Sequence, residues 1–104
     1  MQDYVAERNL RGIGPDGTST AISIRIGQPE EVSEQTWTVA IDIEGLEYGM
    51  KTALGVDPWQ ALTVAFAVTE QAVRYFVDMG GKLCVAEDSE QEVPVDDLFP
   101  RFAA

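Results

Sequence analysis

Histidine is absent from these 104 residues. Its absence removes Ser-His-Asp and Cys-His catalysis, imidazole general-base chemistry and every histidine-containing zinc site. Cysteine occurs once, at Cys84, so no internal disulfide can form, which points to a reducing compartment. Between Leu83 and Val85 that thiol reads as a small buried hydrophobe, and with no histidine to activate it a nucleophilic role is disfavoured. Bases are scarce, with seven Lys and Arg against eighteen Asp and Glu and a formal charge of −11. Phosphate backbones and anionic lipid surfaces would repel such a chain, so we expect neither nucleic-acid nor membrane binding. No apolar run approaches the roughly 18 residues of a membrane span. Met1-Gln2-Asp3-Tyr4 lacks a basic region followed by an apolar one, so no secretory signal is expected and the cytoplasm is the expected location.

What is present is enough to build a core. The hydrophobic content is 45%, with two Trp, three Tyr and four Phe, so the acidity does not signal disorder. At this length one domain can bury roughly 60% of its unfolded surface without a metal or disulfides. We expect a single domain over residues 1–104, divided into a β-meander over 1–55, a helix over 57–79, and a short strand with an acidic tail segment over 82–102. No internal repeat is present.

The helix organises the rest. Asp57 is an N-cap residue, Pro58 suits the first helical position, and Gln60 can complete a capping box. Apolar residues then recur with helical period as far as Met79, and Gly80-Gly81 supplies a left-handed exit. At about 100° per residue, Gln60, Thr63, Glu70, Gln71, Arg74 and Asp78 fall in one polar arc. The remaining apolar side is roughly twice the width that one sheet face covers, which predicts a further covering such as a second copy of the chain. Thr69, near the middle of that side, is expected to bond back to the carbonyl of Ala65, while Glu70/Arg74 and Arg74/Asp78 pair along the wet face.

Ahead of the helix, residues 3–13 predict a half-buried edge strand with Tyr4, Ala6 and Leu10 on one parity, interrupted by Arg8. Gly14-Pro15-Asp16-Gly17 closes a hairpin and lacks the glycine-lysine-threonine element of a phosphate loop. Thr20, Ile22, Ile24 and Ile26 alternate with polar or small residues, as do Trp37, Val39, Ile41 and Ile43. Between these strands, 27–34 reads as a polar connection. Tyr48, Met50, Thr52 and Leu54 repeat the pattern. Four strands with short connections predict an antiparallel meander, since parallel pairing would need crossovers. After the helix, 82–86 reads as a fifth short strand, 87–92 as an acidic connection, and 96–100 as one turn carrying Leu98 and Phe99. The fold class is therefore α+β, a four-stranded antiparallel meander packed by one long helix, with a short C-terminal strand or extended segment.

The segment Gly55-Val56-Asp57-Pro58-Trp59-Gln60-Ala61-Leu62 resembles a group of small bacterial proteins of unknown function, in which a short sheet leads to a helix through a similar sequence. Arg25-Ile26-Gly27-Gln28-Pro29-Glu30 resembles that group's strand exit. The resemblance implies the fold and carries no activity, substrate or site residue.

Candidate chemistry is sparse. Asp42 and Glu44 share one strand face and form an acid–base pair only if their environments differ; as solvent-facing charges they would instead discourage aggregation. Glu87, Asp88, Glu90 and Glu92 lack the spaced glycine-containing loop of a calcium site. No catalytic residue, cofactor site or metal site is assigned. Trp37, Tyr48, Trp59 and Tyr75, with Asp42 and Glu44, make the candidate binding surface, because large aromatics with a polar tip recur at interfaces. The leading expectation is a non-enzymatic module binding a basic protein, as a small acidic inhibitor, immunity or antitoxin-like protein would. The alternatives are a homodimeric structural adaptor, and a small-molecule binder or carboxylate-based enzyme using the space between helix and sheet.

Overall fold

The computed structural model describes residues 4–46 and 51–100, apart from the side chain of Ser89. Ten residues of β1 (Tyr4–Ile13) run antiparallel to β2 (Ser19–Gly27). The turn between them is held by Gly14 N–H donating to Thr18 O and Gly17 N–H donating to Gly14 O, both at 2.9 Å. Asp16 accepts from Thr18 N–H at 2.9 Å, and that bond holds its carboxyl below the usual 3.8. The other strands are β3 (Glu30–Ser33), β4 (Thr36–Glu44), β5 (Thr52–Gly55), β6 (Lys82–Val85) and β7 (Asp88–Glu92). Two helices complete the fold, α1 (Pro58–Asp78) and α2 (Val95–Leu98).

All the pairings are antiparallel, and the fold is α+β with one main helix. The meander runs β1, β2, β4, β5, but the sheet has seven strands among the described residues instead of four. Three corrections to the sequence reading account for the difference. Residues 30–33, read as connection, form β3 and pair with Thr36 to Thr38 of β4. Thr38 opposes Glu30 on one edge and Leu54 on the other, so β3 lies on the edge of β4 that β2 also uses, and β5 takes the opposite edge. Residues 88–92, read as an acidic connection, form β7 beside β6. Finally, β1 is no edge strand, because its far side pairs Leu10 to Ile13 with Val85 to Lys82. Of the predicted strand from Tyr48, the structure has β5; Tyr48 and Met50 lie outside the described residues.

The N-terminus of α1 is set by local chemistry. Asp57 Oδ1 accepts from Gln60 N–H at 2.7 Å, and Gln60 Oε1 accepts from Val56 N–H at 2.8 Å, one residue earlier than a standard capping box. At the C-terminus Gly81 N–H donates to Phe76 O and Gly80 N–H to Val77 O, both at 3.0 Å, with Gly80 at φ 101°. That pair of bonds is a Schellman motif, and only glycine takes the left-handed position without strain.

The core lies between α1 and one sheet face, in two clusters. Leu10, Ile22, Ile24, Val73, Leu83 and Val93 make one, flanked by Phe76, Val77, Leu98 and Phe99. Ile26, Val39, Ile41, Ala53, Ala61 and Ala65 make the other, flanked by Trp37, Leu62, Val64 and Val68. The buried stripe of α1 is Ala61, Ala65, Thr69, Ala72 and Val73, mostly small residues that let the helix lie close to the strands. Thr69, 2% exposed, donates to Ala65 O at 2.8 Å, which satisfies its hydroxyl inside this layer. Among the described residues no helix is long and apolar enough to cross a membrane.

Candidate functional site

Of the six residues singled out from the sequence, the five that the structure describes do not form one surface. Trp37 is half-buried on the helix-facing side of β4, opposite Gly55 of β5, where it packs on the second cluster. Asp42 and Glu44 stand on the opposite, open face of that strand. Trp59 and Tyr75 lie on α1, sixteen positions apart, which is about 24 Å along the axis and about 160° around it. Tyr48 lies outside the described residues.

On the open sheet face Arg25 is the centre. Its guanidinium pairs with Glu7, with Asp42 at 3.4 Å and with Glu44 at 3.9 Å. The hydrogen bond to Glu7 leads in raising the Arg25 pKa, with Asp42 and Glu44 contributing further. A bulge between Tyr4 and Ala6 puts the Tyr4 ring under the same guanidinium, 5.8 Å from its carbon. Asp42 and Glu44 thus share one cation and neither is buried, whereas an acid–base pair needs environments that push the two carboxyls apart. This is a surface charge network: one cation among three carboxylates leaves the cluster around Arg25 negative.

A second network fastens α2 to α1. Arg74 pairs with Glu70 at 2.7 Å and with Asp96 at 2.7 Å. Asp96, in place of the Asp78 expected from helical spacing, is the first cause of the raised Arg74 pKa. Through this bond α2 sits beside α1, with Leu98 and Phe99 half-buried against the first cluster. The predicted C-terminal turn thus covers one flank of the wide apolar side of α1.

Around α1, three features among the described residues stay open. Leu54, Val56 and Trp59 follow each other across the exit of β5 and the start of α1, and all are exposed, Trp59 at 82%. On the opposite flank of α1, Tyr75 and Met79 are 64% and 61% exposed, beside a cleft of about 250 Å³ that they line with Gly45, Leu46, Ala72 and Phe76. The third is a cleft of about 140 Å³ between β1, β2, α1 and α2. Its apolar walls are Ala6, Ile24, Ile26, Phe66, Leu98 and Phe99, and Arg8 and Asp97 also line it. Only one signal in the sequence marked this place, the apolar parity of β1 broken by Arg8. Among the described residues no group of three or more potential ligands could hold a metal ion.

With this geometry in view, the chain matches the family described as Domain of unknown function (DUF6968) over residues 6–96, and it belongs to that family. A search of curated proteins finds no match to the chain, and neither does a search of solved structures.

Proposed function

We propose that this chain is a small acidic, non-enzymatic protein-binding module of the bacterial cytoplasm, acting on a basic partner as an inhibitor, immunity or antitoxin-like protein would. Trp59 carries the reading. An indole 82% exposed, next to exposed Leu54 and Val56, is an apolar anchor of the kind that dominates the energetics of interfaces. The charge of −11 adds long-range attraction for a basic surface and raises the rate of encounter more than the final affinity. Affinity capture on the wild-type chain and on Trp59→Ala, eluted with rising salt, tests this. A basic protein held by the wild type should bind Trp59→Ala at least about 30-fold more weakly, a loss of about 2 kcal/mol or more. Capture indifferent to both the substitution and the salt would overturn the reading.

A second reading, a homodimeric adaptor, draws on the opposite flank of α1. Exposed Tyr75 and Met79 beside the apolar cleft at Leu46 are a surface that a second copy could cover.

A further inference from the structure

The cleft between β1, β2, α1 and α2 joins charge and apolar surface in a way that neither reading above uses. Arg8 stands on the helix-facing side of β1, between Ala6 and Leu10 and opposite Ile24. Every other residue of β1 and β2 that lines the cleft from that side is apolar. Glu7 also lines it, but its carboxylate is committed to Arg25 on the other face. Across the cleft, Asp97 is exposed in the first turn of α2, while its neighbour Asp96 is held by Arg74. Among the described residues neither Arg8 nor Asp97 is ion-paired, with each other or with a third group. Two opposite charges therefore flank an apolar hollow without closing on each other. Thr69 lines the hollow too, but its hydroxyl proton goes to Ala65 O.

Size and charge together select the ligand. A volume of about 140 Å³ is below half of the roughly 300 Å³ where drug-sized sites begin, and equals that of roughly four to five waters. That is room for one amino-acid side chain. A ligand that uses both charges presents an anion to Arg8 and a cation to Asp97 beside its apolar part. In an α-amino acid the carboxylate and ammonium sit on one carbon, about 2.5 Å apart by covalent geometry, and the side chain leaves from that carbon.

We propose that this cleft binds one free α-amino acid with a branched or aromatic apolar side chain. Arg8 takes the carboxylate, in the forked geometry that guanidinium favours. Asp97 takes the ammonium, and the side chain lies against Ile24, Ile26, Phe66 and Phe99. The C-terminal residue of a peptide keeps the carboxylate but has an amide nitrogen, and an N-terminal residue keeps the ammonium but lacks the carboxylate. Only the free amino acid satisfies both charges.

Titration of the isotope-labelled chain, followed by amide chemical shifts, tests the assignment with leucine, N-acetyl-leucine and leucinamide. Leucine should shift the amides of Ala6, Ile24, Ile26, Thr69 and Leu98 saturably, with a Kd on the order of 0.1–1 mM. Each capped analogue should bind about ten-fold more weakly or worse. Arg8→Gln and Asp97→Asn change exposed side chains, so both should keep the wild-type thermal midpoint while losing leucine binding to the same degree. Absence of saturable shifts at these amides would overturn the proposal. So would equal binding of leucine and either capped form, or wild-type affinity in either variant.

Discussion

Phe76 shows how a single side chain is fixed here. Its ring lies against Gly12 of β1 and Gly81 beyond α1; a Cβ placed on Gly12 would meet the ring at 3.0 Å, and one on Gly81 at 2.5 Å. Two chain segments come this close to the ring because neither carries a side chain at that point. Phe66 behaves differently. Hydrophobicity alone puts it in the helix–sheet core, but it is 41% exposed, because the stripe of α1 that meets the sheet is the small-residue one around Ala65 and Thr69. The energetic ranking follows from burial. Asp57→Ala, which removes one capping bond, should cost about 1 kcal/mol in denaturant unfolding. Leu83→Ala, at a site 1% exposed, should cost about 2–5 kcal/mol through the cavity it leaves. Phe66→Ala should fall below Leu83→Ala despite its larger ring. The reverse order would mean that the helix packs on the sheet through its Phe66 flank.

Among the elements, α1, β2 and β4 were legible because each carries both its period and its stops: caps and glycines for the helix, clean alternation for the strands. The strands β3 and β7 were not. Glu30, Glu31, Asp88, Glu90 and Glu92 have poor strand propensity, and these short segments are strands because a neighbour supplies the ladder: Glu30 opposite Thr38, Glu92 opposite Cys84. Exposure was equally hidden. The sequence puts Trp37 on the apolar parity of its strand and Trp59 near the helix end, but only the tertiary fold half-buries the first and leaves the second 82% exposed. The break in apolar parity at Arg8 was visible, but what it faces comes from α2, which is distant in sequence. β7 is the strand at the sheet's end, where charge on an edge is expected to oppose pairing with another molecule. Replacing both Glu90→Val and Glu92→Val should therefore leave the fold intact by circular dichroism while producing turbidity at micromolar concentration. A clear solution of the double variant would show that the edge is protected by something other than charge.

At the scale of the whole molecule, two properties oppose each other. The apolar side of α1 exceeds what the sheet covers; α2, with Leu98 and Phe99, takes up the flank at Val77, and the flank at Tyr75 and Met79 stays open. That open flank favours self-association. Against it, two chains of −11 repel each other at every separation within the screening length. Salt separates the two effects, because it weakens the repulsion between copies while leaving apolar contact intact or strengthening it. The same reasoning predicts the opposite response for a basic partner at Trp59, whose attraction salt weakens. Light scattering at micromolar concentration should thus show a mass that rises toward two chains as salt is raised. Tyr75→Glu combined with Met79→Glu should hold the mass at one chain under all conditions, because both substitutions place charge inside the patch that would have to meet itself. Trp59→Ala, on the far flank, should associate as the wild type does. A wild-type mass of one chain at both low and high salt would remove the dimer and leave the Tyr75 flank as ordinary solvent-exposed surface.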